Sequence, residues 1–233
     1  MTERIALITG GNKGLGFETA RRLKSMGFRV YIGARESERG IEAASRLNAE
    51  WLQLDVTDEE SVRDAAAQLS KRENRLDVLI NNAGIAGTRK AAAELTGEDA
   101  ESVFATNVVG PVRVMNAFIP LMETSTNPVI VNVSSGLGSF AITQDPQRFE
   151  SQVRMPLYCA SKSALTMLTL QYARALPNFH INAADPGYTA TDLNAHRGQQ
   201  TVEEGTDAII RLATLPPDGP TGIFVDRHGL VLW

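Results

Sequence analysis

Ile5-Ala6-Leu7-Ile8-Thr9-Gly10-Gly11-Asn12-Lys13-Gly14-Leu15-Gly16 joins a short apolar run, a glycine-rich loop and the start of an amphipathic stretch reaching Met26. The run reads as a buried strand and the stretch as a helix. Gly10, Gly14 and Gly16 would let the backbone turn tightly, approach a pyrophosphate and pack the helix close to the strand. The anion would sit at the helix N-terminus near Leu15, within reach of Asn12 and Lys13. Strand, glycine loop and helix near the chain start are the context that makes such a cluster more than an ordinary turn. The spacing here is G-x-x-x-G-x-G rather than G-x-G-x-x-G.

The same alternation continues outward. Arg29–Ile32, Trp51–Leu54, Val78–Ile80 and Val129–Val133 are short and apolar, and Ile181–Ala184 and Ile223–Val225 add two more. Continuous apolar character is what strands covered on both faces require. Between them lie amphipathic segments such as Glu59–Leu69, opened by Thr57-Asp58-Glu59-Glu60, acids suited to a helix N-terminus. The expectation is an α/β fold: a Rossmann-type doubly wound parallel sheet of about seven strands, flanked by helices on both faces. No low-complexity linker breaks the composition, so residues 1–233 read as one domain.

Composition narrows the function. Of 233 residues, 43% are hydrophobic and 21% charged, ordinary for a soluble globular chain. The net charge of −4 and the lack of a Lys/Arg run argue against a nucleic-acid partner. No apolar run approaches ~20 residues and no signal peptide opens the chain, so no membrane association and a cytoplasmic location are expected. A single cysteine, Cys159, excludes an internal disulfide. The three histidines, His180, His196 and His228, lack ligand spacing, so no metal site is expected.

The end of the second strand bears on the cofactor. An NAD-preferring site places Asp or Glu there, but Gly33 is followed by Ala34-Arg35. Arg35 and Lys13 would attract a 2′-phosphate, pointing to NADPH/NADP+; Glu36, one residue on, keeps NAD open. Further along, Tyr158-Cys159-Ala160-Ser161-Lys162 places Tyr and Lys on one helix face, one turn apart. A phenol with a reference pKa of ~10 needs help to exchange protons near neutrality. A nearby ammonium and an oxidised nicotinamide would supply it, and Lys162 would also hold the nicotinamide ribose. Val131-Asn132-Val133-Ser134-Ser135-Gly136 puts hydroxyls just past the fifth strand, where a serine can donate to a carbonyl oxygen gaining charge. After the sixth strand, Pro186-Gly187 would turn against the nicotinamide, with Thr189 and Thr191 near its carboxamide or the phosphates.

Taken in order, these landmarks resemble the classical short-chain dehydrogenase/reductase family over essentially the whole chain. The opening Thr-Gly-Gly-Asn-Lys-Gly, Ala34-Arg35, Thr201–Gly205, Leu215-Pro216-Pro217 and the ending on Trp233 are most similar to its monomeric NADPH carbonyl reductases. The resemblance implies reduction of a ketone or aldehyde, with Tyr158 as proton donor and the second serine, Ser135, as its partner. It implies that Asn107 holds a water linking Lys162 to solvent, although an Asn kinking a helix is the equal alternative. It places Asp55 and Val56 at the adenine, and Asn82, Ala83 and Gly84 beside the adenosine ribose. Lys13 and Arg35 stand where the family binds NADP. Two departures matter. Asp185 precedes the Pro-Gly turn where mammalian members have Cys, so no thiol property carries over. The stretch between Ser135 and Tyr158 is longer than in most members and would reshape a helix face used for tetramers, so a monomer is favoured. Phe140, Phe149, Met155 and Tyr188 are candidates for a substrate wall. A non-catalytic cofactor sensor on the same fold, or alcohol oxidation as the working direction, are the rival readings.

Overall fold

A computed structural model describes residues 3–233. Seven strands, β1 (Ile5–Thr9), β2 (Arg29–Ala34), β3 (Glu50–Gln53), β4 (Val78–Asn81), β5 (Val129–Val133), β6 (His180–Ala184) and β7 (Phe224–Val225), form one sheet in the order β3-β2-β1-β4-β5-β6-β7. Every pairing is parallel. The expected α/β architecture and strand count are therefore present, each strand within a residue of its predicted bounds except β2, which runs two residues further to Ala34.

Period-two alternation divides the core. Ala6 and Ile8 of β1, with Val30 and Ile32 of β2, face one apolar cluster; Ile5, Leu7 and Tyr31 face the other. The first is covered by α1 (Gly14–Ser25), α2 (Ser37–Leu47) and, near the C-terminus, α9 (Asp207–Ala213). The second is covered by α3 (Glu59–Arg72), α5 (Gly110–Met122) and α7 (Pro156–Ala175), while the short α6 (Phe140–Gln144) and α8 (Val202–Gly205) add to neither cluster. The Thr57–Glu60 signal marks α3 correctly: Asp58 caps it, its carboxylate accepting from the Glu60 and Ser61 amides. Residues Gly97–Met122, α4 (Gly97–Phe104) running through a widened turn into α5, have the length and mean hydropathy (1.2) of a membrane span. Core packing accounts for that character, because Val114, Met115, Phe118 and Met122 are fully buried in the second cluster.

The parallel register brings the C-terminal ends of β1, β4, β5 and β6 to one edge, and the chain order reverses between β1 and β4. That switch point is where open α/β sheets leave a ligand crevice.

Candidate active site

A crevice of about 620 Å³ opens along this edge. Its floor is the β1–α1 loop, where Gly10 and Gly14 take φ of +63° and +53°. A Cβ at Gly16 would lie 2.4 Å from the Gly10 carbonyl oxygen, so only glycine allows α1 this close to the loop. Thr9, which the sequence reading overlooked, anchors the neighbouring strand: its buried Oγ1 accepts from the Asn82 and Ala83 amides. Asn82 Nδ2 returns the tie by donating to the Thr9 and Gly10 carbonyls. Asn12, Lys13, Leu15, Ala83 and Gly84 line the crevice. The loop therefore forms a backbone cradle with the space and amide-rich helix start that a pyrophosphate needs.

At one end lie Arg35, Asp55 and Val56, joined by Arg39, which the sequence reading did not single out. Glu36 is bracketed by the two guanidiniums, 3.5 Å from Arg35 Nε and 3.2 Å from Arg39 Nε. Asp55 Oδ1 accepts from the amide and hydroxyl of Thr57, which fixes its rotamer. Lys13 Nζ rests on Asp192 at 2.8 Å, both side chains more than half exposed. An exposed pair of this kind holds weakly, leaving Lys13 able to turn to another anion.

The other end is built on α7. Its buried stripe runs Tyr158, Ser161, Lys162, Leu165, Thr166, Thr169 and Ala173, so Tyr158 and Lys162 lie on the core-facing side of the helix. Tyr158 is 8% exposed and Lys162 5%. Lys162 Nζ donates to the Val133 carbonyl at 2.7 Å and sits 5.7 Å from the Tyr158 ring centre. Burial lowers the Lys162 pKa to about 8 against the opposing pull of Asp185. Burial raises the Tyr158 pKa, while the Ser135 hydroxyl beside it opposes the rise and the Asp185 charge adds to it. Of the two adjacent serines, Ser135 is thus the one at the phenol; Ser134 is buried and donates to the Lys162 carbonyl.

Asn107 lies in the widened, π-helical turn Ala105–Val109. Its amide is fully occupied: Oδ1 accepts from Ile85 N–H, and Nδ2 donates to Ile85 O and Ser161 Oγ. Both the kink and the tie to the Tyr158 helix are therefore present, and any water here would have to use backbone groups freed by the turn. Pro186 and Thr191 line the crevice, and Gly187 turns with φ +67°. Thr189 stands behind that turn, 3% exposed with its hydroxyl donating to Pro186 O. Phe149 and Tyr188 stack at 5.4 Å across the two loops that flank the site. Phe140 faces a separate shallow groove with Cys159. Among the described residues, no group of three His, Cys, Asp or Glu converges on a metal-sized point.

Comparison with known proteins agrees with this geometry. The short chain dehydrogenase family model matches residues 4–202. A (+)-neomenthol dehydrogenase of Capsicum annuum is 32% identical, the match covering 96% of each chain. Salutaridine reductase from Papaver somniferum superposes with a TM-score of 0.82 at 32% identity, over 95% of this chain and 99% of that one. NADPH-bound carbonyl reductase from chicken fatty liver superposes with a TM-score of 0.88 at 27% identity over the whole of both chains. A family match over most of the chain, on a sheet carrying the family's landmarks at one edge, places this protein in the short-chain dehydrogenase family of oxidoreductases.

Proposed function

We propose that the protein is an NADPH-dependent carbonyl reductase that converts a ketone or aldehyde to the alcohol. The observation that carries this reading is the meeting of Tyr158 and Lys162 at one end of a crevice, with Ser135 beside the phenol, while Arg35 and Arg39 stand at the other end and Lys13 along the glycine loop. The cradle of Gly10, Gly14 and Gly16 suits the pyrophosphate, and Asp55, Val56, Asn82, Ala83 and Gly84 suit the adenosine. Glu36 has two guanidiniums beside it, so the cations are in excess where a 2′-phosphate would lie.

When bound, the nicotinamide supplies the hydride. Tyr158 holds the proton for the substrate oxygen, and its burial keeps that proton in place near neutrality. Ser135 donates to the same oxygen as charge develops, the role a preorganised donor fills best. Lys162 holds the ribose and, while protonated, lowers the cost of the negative charge that Tyr158 takes on. Asn107 positions the helix through Ser161 and serves the route by which the proton is replaced. Pro186, Gly187 and Thr191 form the wall at the nicotinamide, with Thr189 bracing it. Phe149 and Tyr188 present an aromatic wall to the substrate.

Cytoplasmic residence and a monomeric state belong to the same reading. Leu137, Phe140 and Thr143 share a groove with Cys159, Ala160 and Ser163 of α7, so the segment between Ser135 and Tyr158 shapes the face that assembly would use. Mixing the protein with NADPH and a panel of activated ketones, aldehydes and quinones should deplete the cofactor absorbance, and NADH should do so far more slowly. Tight NADPH binding with no turnover on any of them would instead identify a sensor.

A further inference from the structure

Asp185 follows β6 directly, and the chemistry above gives it no task. Its carboxyl is 6% exposed, a costly place for an acid that lacks partners. The partners come from two separate segments. Oδ1 accepts from the Gly187 amide at 2.9 Å. The other oxygen lies against Gly136, so close that a Cβ there would come within 2.9 Å of it, and the Gly136 amide favours the charged carboxylate. Asp185's own amide donates to Val225 O at 2.8 Å, fixing the residue from β7. Gly136 adjoins Ser135, and Gly187 adjoins Pro186 in the crevice wall.

We propose that Asp185 is a positioning residue for the reduction, its carboxylate clamping the loop that carries Ser135 to the Pro186-Gly187 turn that meets the nicotinamide. Hydroxyl donor and cofactor wall are then held in one register by a single buried side chain. The inference rests on the function proposed above.

The clamp also carries charge. The groups facing it are Tyr158 and Lys162 on α7, Arg148 and Glu150 in the loop before α7, and Asp226 after β7. Arg148 is occupied by Glu150 at 3.1 Å. Burial raises the Asp185 pKa, the Gly187 and Gly136 amides oppose the rise, and Asp226 and Glu150 add to it. In its charged form Asp185 strengthens proton binding at both Tyr158 and Lys162. Neutralising it therefore weakens proton binding at both, and the alkaline limb of the reduction moves to lower pH.

The test compares wild type, Asp185→Ala and Asp185→Asn as intact proteins with NADPH, with thermal melting as a folding control. Asp185→Ala should lower kcat by about tenfold or more, the scale expected when a reacting geometry is misplaced by a fraction of its tolerance, with the KM for NADPH little changed. Asp185→Asn keeps an oxygen for only one of the two amides, so its kcat should fall between the wild-type and Ala values while its alkaline limb shifts downward. Amide hydrogen exchange at Gly136 and Gly187 should quicken in the Ala variant and not in β1 or α1. Wild-type kcat, pH profile and exchange in the Ala variant would overturn the proposal. So would equal losses in both variants that track a lowered melting temperature and quicker exchange across the sheet. If the wild-type protein reduces no carbonyl compound, the function proposed above fails. Exchange then decides the clamp alone: faster at Gly136 and Gly187 in the Ala variant supports it, and unchanged overturns it.

Discussion

Lys162 has a buried ammonium with a carbonyl oxygen at 2.7 Å and a pKa brought down to about 8 by burial. A lysine is charged below its pKa, so the ammonium that eases proton transfer from Tyr158 is present at neutral pH and lost as pH rises through that value. The kcat/KM for NADPH, which reports ionisations of the free enzyme, should be level on the acid side of about 8 and fall above it. A profile that stays level well into the alkaline range would contradict the role given to Lys162. At this scale the sequence was informative about identity and silent about state. Tyr and Lys one turn apart could be read from spacing, but their place on the buried stripe depends on what the rest of the chain lays over α7. Thr189 shows the converse: near the site in sequence, it is spent on bracing the turn behind it.

The 3-10 turn Gly136–Gly138 and α7 act as one unit. A Cβ at Gly138 would lie 2.7 Å from the Lys162 carbonyl carbon, and Ser163 Oγ donates to Gly138 O at 2.8 Å. Gly138→Ala must push the turn off the helix and carry Ser135 away from Tyr158. Steady-state kinetics should show kcat reduced about tenfold with little change in the KM for NADPH; unchanged kcat would mean the turn is not held by this contact. Elements of this kind are legible where the signal is local. β-branched runs, the glycine loop and the Asp58 cap each announce themselves within a dozen residues. The ties between elements do not: Asp185 to Gly136 and Asn107 to Ile85 join segments that no periodicity connects. The widened turn at Asn107 is signalled only by an Asn within a helix; the partners its amide meets, Ile85 and Ser161, lie in other segments.

Across the whole molecule, the end of the sheet opposite the crevice serves stability. Asp77 is buried there; Oδ2 accepts from the Ile5 amide at 2.8 Å, and its carboxylate also takes Arg75 Nε at 3.1 Å and Ser125 Oγ at 2.6 Å. Asp77→Ala strands these donors and should cost about 2–3 kcal/mol, lowering Tm by roughly 4–12 °C in a chain of this size. Activity per folded molecule should stay unchanged, because the site lies at the other edge. A Tm at the wild-type value would show the network to be dispensable. The doubly wound architecture was foreseeable because parallel strands buried on both faces must be apolar throughout, and here they are. The substrate was not, because Phe149 and Tyr188 approach each other only once the chain has folded.

If the Tyr158 hydroxyl delivers the proton, Tyr158→Phe removes the donor while keeping the ring. Rate measurement on an accepted carbonyl compound, paired with NADPH binding followed by cofactor fluorescence, tests it directly. Binding should stay within about threefold of wild type and kcat should fall by about 10²–10⁴, the range typical of a lost general acid. Full turnover by the Phe variant would contradict it.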